Sequence, residues 1–89
     1  MKLNKETKWT LKAGDFLYDG KYHNVWRVVH LWWGADGRAV YITLDWPDGR
    51  RLYGARSSDF YGLEIVNADS PSELYESALS LWRELGGTL

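Results

Sequence analysis

The chain has 89 residues, of which 45% are hydrophobic and 16% aromatic; this composition excludes a disordered protein and fits one small domain over residues 1–89. It contains no cysteine, which excludes a disulfide framework and a thiolate metal site. The formal net charge of −1 excludes the overall basic field that is typical of non-specific nucleic-acid binders.

The N-terminal segment reads MKLNKETKW and lacks the apolar core of a signal peptide. No stretch of the chain approaches the ~20 consecutive apolar residues of a membrane span. We therefore expect a soluble, cytoplasmic protein that has no membrane partner.

Asp-Gly followed by a basic residue occurs three times, at Asp19-Gly20, Asp36-Gly37 and Asp48-Gly49. Asp-Gly is a strong hairpin signal because glycine adopts the positive φ that tight turns require. These sites predict turns or loops between strands.

The segments around these turns predict about five short strands. Four of them are NVWRVVHLWW, RAVYITLDW, RRLYGAR and LEIV, and before these WTLK and DFLYD flank Ala13-Gly14. RAVYITLDW has a period of two in which Val40, Ile42, Leu44 and Trp46 alternate with Ala39, Tyr41, Thr43 and Asp45. This alternation indicates a half-buried strand. NVWRVVHLWW is apolar on both parities and predicts a long, bent strand that serves both core and surface.

The last part of the chain has the period of an amphipathic helix. Ser70-Pro71-Ser72-Glu73 has the pattern of a capping box with proline at the first helical position, and Gly86-Gly87 supplies a stop. One arc of the helical wheel holds Leu74, Tyr75, Ala78, Leu79, Leu81, Trp82 and Leu85. We therefore predict a helix over residues 70–86 that covers the strands or contacts another chain.

Short strands joined by tight turns favour a small barrel, because closure removes exposed strand edges. The order of signals from AGDFLYDGKYHNVWRVV to FYGLEIV resembles an SH3-like barrel: a Gly-Asp opening, a long loop, three strands joined by tight turns, a helical turn and a last strand. The resemblance covers residues 13–66. It implies a mainly β fold, a small five-stranded SH3-like barrel, to which the C-terminal amphipathic helix is added.

The stretch from Trp26 to LEI is also similar to the plasmid-borne type II dihydrofolate reductases, which are tetrameric SH3-like barrels around one pore. Their pore motif Val-Gln-Ile-Tyr corresponds to residues 50–53, where Leu52 replaces the isoleucine, Tyr53 keeps the tyrosine and Arg51 replaces the glutamine. Converging copies would bring the Arg51 charges close together, so we expect no dihydrofolate reductase activity.

The candidate site is an aromatic and arginine surface around the Asp48-Gly49 turn. Its predicted partner-binding residues are Tyr41, Trp46, Arg50, Arg51, Tyr53 and Arg56. Rings beside guanidinium groups are enriched at binding hot spots, and they also suit base stacking with phosphate contact. Arg38 and Lys21, at neighbouring turns, would extend the surface into a basic rim. The alternative is that these charges only solvate hairpin tips and protect strand edges.

Two adjacent tryptophans, Trp32 and Trp33, must face opposite sides of their strand. At least one therefore lies outside the barrel interior, where it is either covered by the C-terminal helix or exposed as a binding anchor. A narrower form of the exposed case is an aromatic cage for a methylated lysine.

Catalytic and metal-binding patterns are weak. His23 and His30 have no third histidine or cysteine beside them, so we expect no metal site. Ser57, Ser58 and Asp59 lack a nucleophile elbow and are expected to cap a tight turn through side-chain to backbone hydrogen bonds. No glycine-rich phosphate loop is present, and no cofactor is expected.

The sequence therefore predicts a non-enzymatic binding module whose partner is another protein or a second copy of itself. Nucleic-acid binding through the same arginine and tyrosine face is one alternative, and a reductase of the type II folate kind is the other. A small autonomous domain of this kind would suit an accessory protein of a phage or other mobile element.

Overall fold

The computed structural model describes residues 1–89, and the chain is mainly β. Its strands are β1 Phe16–Asp19, β2 Asn24–Trp33, β3 Val40–Asp45, β4 Arg51–Arg56 and β5 Glu64–Val66; its helix is α1 Ser72–Glu84, and two 3₁₀ turns span Thr7–Thr10 and Ser57–Phe60. The predicted five strands and C-terminal helix are confirmed.

The five strands form one antiparallel sheet in the order β4-β3-β2-β1-β5. No ladder of hydrogen bonds joins β4 to β5, so the predicted closure into a complete barrel is not found. The sheet is instead strongly curled, because side chains from distant strands meet in one inner core. That core includes Leu17 of β1, Val28 of β2, Ile42 of β3 and Ile65 of β5.

The three Asp-Gly sites are turns, as predicted, and each contains the same kind of hydrogen bond. In each turn the aspartate Oδ1 accepts from the backbone N–H two residues later, in the pairs Asp19–Lys21, Asp36–Arg38 and Asp48–Arg50. This is the usual way in which aspartate stabilises a turn.

A bulge in β2 explains why both the odd- and the even-numbered positions of that strand carry apolar residues. Val28 pairs with Leu44 and His30 with Thr43, so β2 uses one residue more than β3 at this point. An extra residue reverses the side-chain alternation. Before the bulge, Val28 faces the inner core, whereas after it the odd-numbered Leu31 does.

The N-terminal segment, residues 1–3, lies along the outer edge of β5. Leu3 N–H donates to Leu63 O and Gly62 N–H donates to Leu3 O, both at 2.8 Å, and Ile65 N–H donates to Met1 O at 2.8 Å. Leu3 is fully buried in the inner core. The segment therefore protects an edge that would otherwise be open.

The helix starts later than predicted and has no capping box. It begins at Ser72 with Pro71 as the residue before it, and no side chain caps its first turn. The Oγ of Ser70 accepts a hydrogen bond from Asn67 N–H at 3.0 Å instead. Because Pro71 has an extended ψ of 137°, Ser70 closes the preceding turn and lies outside the helix.

The helix packs on the outer face of the sheet, opposite the inner core. Its buried residues Ala78, Leu79, Leu81 and Trp82 contact Phe16, Val25 and Val66 of β1, β2 and β5. Most of the predicted apolar arc is therefore buried, and Leu85 at its end is exposed. None of the helices is long and apolar enough to span a membrane.

Candidate functional site

Because α1 covers only the part of the outer surface formed by β1, β5 and the start of β2, the outer surface of β2, β3 and β4 lies open. We call this surface the open face. Its residues are His30 and Trp32 of β2, Tyr41, Thr43 and Asp45 of β3, and Arg51, Tyr53 and Arg56 of β4.

Three aromatic rings give one end of the open face its shape. Trp32 pairs with Tyr41 across the strands, and their rings stack with 6.0 Å between centroids and 19° between planes. The His30 ring lies 5.5 Å from that of Trp32. Although it belongs to a packed group, Trp32 remains 38% exposed. Neighbouring rings therefore hold this indole in place while its surface stays available to a partner.

A second bulge, in β4, brings Tyr53 and Gly54 opposite the single residue Thr43. The register passes from Leu44–Leu52 to Ile42–Ala55 across it. Gly54 has a φ of +64°, which only glycine adopts without strain. A Cβ at Gly54 would lie 3.6 Å from the ring of Trp32, so the indole reaches across β3 to this bulge.

The other end of the open face holds an ion pair. Arg51 Nε donates to Asp45 Oδ1 at 2.6 Å and Arg51 Nη2 to Asp45 Oδ2 at 3.1 Å, between directly opposed residues of β4 and β3. The hydrogen bond from Arg51 holds the pKa of Asp45 below its usual range, and the same bond raises the pKa of Arg51. The charge of Arg51 is therefore compensated inside its own hairpin.

Tyr53 lies beside that ion pair and is the most exposed large side chain of the open face. Its ring centroid is 5.8 Å from the guanidinium carbon of Arg51, and 74% of the residue is exposed. The structure thus brings Tyr41, Arg51 and Tyr53 to one side of the sheet, as the alternation predicts.

Trp46 and Arg50 lie at the hairpin tip, outside the open face. Arg50 Nε donates to Asp48 Oδ2 at 2.8 Å, and its guanidinium carbon is 4.8 Å from the centroid of the half-buried Trp46. Asp48-Gly49 forms the tip as predicted, and Gly49 has a φ of +93°. Like Arg51, Arg50 is paired with a carboxylate of its own hairpin.

The predicted basic rim is not one surface. Arg51 and Arg56 stand at opposite ends of β4, roughly 16 Å apart at ~3.3 Å per residue. Arg56 instead lines a pocket with Arg38. Lys21 lies in the turn after β1, where its amine is 5.2 Å from the centroid of the Tyr22 ring.

Trp32 and Trp33 are both exposed, by 38% and 57%, and neither belongs to the cluster under α1. The helix therefore leaves both tryptophans uncovered, which decides between the two alternatives that their sequence allows. The signal that could have decided it, the strand's alternation, was hidden because the bulge in β2 reverses the alternation before these residues.

The remaining candidate residues take no part in the open face. No side chain caps the 3₁₀ turn at Ser57–Phe60, so the expected capping by Ser57, Ser58 or Asp59 is wrong. No three histidine, cysteine, aspartate or glutamate side chains are grouped so that they could hold a metal ion.

Comparison with known proteins identifies no matching family model, no similar curated protein and no similar solved structure.

Proposed function

We propose that the chain is a non-enzymatic binding module that docks a partner protein on its open face. The observation that carries the proposal is the exposed Trp32, stacked on the half-buried Tyr41, together with the exposed Tyr53, on a surface that the helix leaves uncovered. Tryptophan, tyrosine and arginine are the residue types that most often dominate binding energy in protein interfaces. Rings already held in place lose little conformational entropy on binding.

The charges of the open face favour a protein over a nucleic acid. Arg51 is bonded to Asp45, and Arg50 at the adjoining tip is bonded to Asp48. Nucleic-acid binding draws its affinity from cations that neutralise phosphates, and a cation with its own carboxylate contributes less. The central aromatic surface with compensated charges beside it matches the apolar core and polar rim of a protein interface.

The partner is a different protein rather than a second copy of this chain. In a two-fold symmetric dimer the same face meets itself, so each charge must find its complement on that face. Arg56 forms no salt bridge, and Asp45, the carboxylate of the open face, already binds Arg51. The partner should therefore present apolar side chains to Trp32 and Tyr53 and a carboxylate to Arg56.

Docking should occur through side chains and not by addition of a strand to the sheet. β4 is an edge strand, and an open edge can pair with another chain. This edge, however, contains the bulge at Tyr53 and Gly54 and begins and ends with Arg51 and Arg56. A bulge and charged residues are the usual means by which proteins prevent pairing at an edge.

Replacing Tyr53 or Trp32 by alanine should each weaken binding of the partner by about 1–3 kcal/mol. The Tyr53 variant should keep the thermal stability of the wild type, because its side chain is mostly exposed. The measurement is a capture experiment with wild-type and variant chains, followed by titration calorimetry with the purified captured protein.

Tyr22→Ala is the matched control, since Tyr22 is also exposed but lies in the loop between β1 and β2. The expected result is a protein captured by the wild type and by Tyr22→Ala but not by the other two variants. A partner bound equally by all four chains would exclude the open face. A concentration-dependent dimer in light scattering that Tyr53→Ala abolishes would identify a second copy of this chain as the partner. It would contradict the proposal that the partner is a different protein.

We expect no NADPH-dependent reduction of dihydrofolate by the pure protein. The position of the pore glutamine holds Arg51, whose guanidinium is bonded to Asp45 and supplies no uncharged amide. This pairing also lowers the repulsion between copies that the sequence suggests, so the expectation rests on the missing amide. The assay is loss of NADPH absorbance with dihydrofolate, and turnover that Tyr53→Phe abolishes would make the reductase alternative correct.

A further inference from the structure

A basic pocket lies where β4 ends, next to the open face, and shares Arg56 with it. Lys8 from the first 3₁₀ turn, Arg38 from the loop between β2 and β3, and Arg56 from the end of β4 converge on a cavity of about 190 Å³. Ser57, Ser58 and Tyr61 complete its polar lining. Three cations from distant parts of the sequence thus meet in one small space.

The cations of the basic pocket are not compensated as those of the hairpin are. None of the three takes part in a salt bridge, and no aspartate or glutamate lines the cavity. Lys8 Nζ donates to the backbone carbonyl of Arg38 and lies 4.8 Å from the centroid of the Trp9 ring, and these contacts hold the amine beside the pocket. Cations that line one cavity repel one another, and an anion bound between them relieves that repulsion.

Asp36 is near the basic pocket but does not line it. Its Oδ1 accepts the backbone N–H of Arg38 at 2.9 Å, and this bond, with further help from the charge of Lys8, lowers the pKa of the Asp36 carboxyl. The carboxylate is therefore held on its own turn. It offsets part of the charge of Lys8 and leaves Arg38 and Arg56 without an acidic partner.

A hydroxyl is the second feature of the pocket that suits an anion. Ser57 lines the pocket, and its Oγ is not a buried atom without a partner; the one such side-chain atom is Trp26 Nε1, whose residue packs against the inner core. The Ser57 hydroxyl is a donor that can turn towards a ligand in the pocket. An oxyanion in the basic pocket would accept its hydrogen bond.

We propose that the basic pocket binds a phosphate group. A phosphate dianion has several acceptor oxygens around one centre, which suits three cations and a hydroxyl arriving from different directions better than a planar carboxylate does. The phosphate belongs to a phosphorylated side chain or to a nucleotide, and in the second case Tyr61, 38% exposed at the pocket, would stack against the base. The site shares Arg56 with the open face, but it uses neither Trp32 nor Tyr53, so the two proposals are tested by different variants.

The test is an NMR titration of the full chain with inorganic phosphate, with sodium chloride at matched ionic strength as reference. Phosphate should shift the backbone amide signals of Arg38, Arg56 and Ser57 in a saturable manner, and chloride should not. Arg56→Gln and Arg38→Gln should each weaken binding about tenfold, since each removes one charge-assisted contact. Ser57→Ala should weaken it less.

Arg83→Gln is the matched control, because it removes an arginine of the exposed helix surface, far along the chain from the pocket. It should leave the affinity for phosphate unchanged. Equal weakening by Arg83→Gln, equal shifts with chloride, or shifts that survive both pocket variants would overturn the site, because the effect would then come from net charge alone.

Two further titrations identify the source of the phosphate. Each supports the site only if Arg56→Gln weakens binding of the titrated compound. Phosphoserine should shift the same amides as inorganic phosphate. Adenosine monophosphate should add a shift of the Tyr61 ring protons if the natural ligand is a nucleotide. If phosphoserine, adenosine monophosphate and inorganic phosphate all leave the amide signals unshifted, the phosphate proposal is wrong. That result would not test docking through Trp32 and Tyr53 on the open face.

Discussion

Replacing Trp82 by alanine should lower the free energy of unfolding by about 3–5 kcal/mol. Trp82 is 4% exposed, and its ring meets that of Phe16 edge-on with 5.5 Å between centroids. Its Nε1–H also donates to Thr88 O at 3.2 Å, which fastens the C-terminal tail over the helix. The substitution would leave a cavity between helix and sheet and remove that bond. Urea denaturation followed by far-ultraviolet circular dichroism measures the change.

Leu85→Ala is the control within the same apolar arc, because Leu85 is exposed and its truncation should cost little. Deleting residues 69–89 should have a larger effect than Trp82→Ala, since it uncovers Phe16, Val25 and Val66 together. We expect that shortened chain to melt far below the wild type or to aggregate. Unchanged melting of a monomeric shortened chain would mean that the helix is no part of the folding unit.

The helix was predictable because one periodicity runs through its whole length, and burial follows that periodicity. Its first residue was not predictable, because Ser70-Pro71-Ser72-Glu73 fits a capping box as well as it fits a turn before a helix. The hydrogen bond from Asn67 N–H to Ser70 decides between the two. That bond depends on where β5 ends, which local sequence does not specify.

Strand β3 was predictable for a similar reason, since Val40, Ile42 and Leu44 alternate without interruption and all three are buried. Its neighbours each contain a bulge, and a bulge reverses the side-chain alternation at one residue. The side of the sheet on which Trp32 lies therefore depends on the bulge in β2, which the periodicity of the sequence does not reveal.

The candidate site was only partly predictable. The common side of Tyr41, Arg51 and Tyr53 follows from counting along two strands joined by a tight turn. The pairing of Arg51 with Asp45 depends on cross-strand register. The basic pocket brings together residues whose positions run from 8 to 61, and only the folded chain places them side by side.

The incomplete cover by the helix links the fold to both proposals. A 13-residue helix is about 20 Å long at ~1.5 Å per residue, which is too short to cover all five strands. It lies over β1, β5 and the start of β2, and the open face remains on β3, β4 and the rest of β2. Alternation from Arg51 places Tyr53 outwards on that face, and the bulge in β4 then places Arg56 on the same face, so that Tyr53 lies between the compensated charge of Arg51 and the free charge of Arg56.

Leu3→Ala should lower the free energy of unfolding by about 2–5 kcal/mol, although Leu3 lies in a segment that carries no element longer than an isolated bridge. Leu3 is fully buried, and the backbone bonds of residues 1–3 to Gly62, Leu63 and Ile65 hold its side chain in the inner core. Truncation would leave a cavity there that the surrounding strands, already paired, cannot fill. Urea denaturation of the full chain measures the loss.

Lys2→Ala is the matched control, since Lys2 is its exposed neighbour and should change the unfolding free energy by less than about 0.5 kcal/mol. Amide hydrogen exchange distinguishes two possible effects of Leu3→Ala, release of the N-terminal segment alone and weakening of the whole core. If Leu3→Ala only releases the N-terminus, exchange should accelerate at Gly62 and Ile65, whose N–H groups donate to Leu3 and Met1, and remain slow at Val28. Leu3 belongs to the same core cluster as Leu17 and Val28, so we expect the core to depend on it and exchange to accelerate at all three amides. An unchanged urea midpoint for Leu3→Ala would contradict the role of Leu3 in the core.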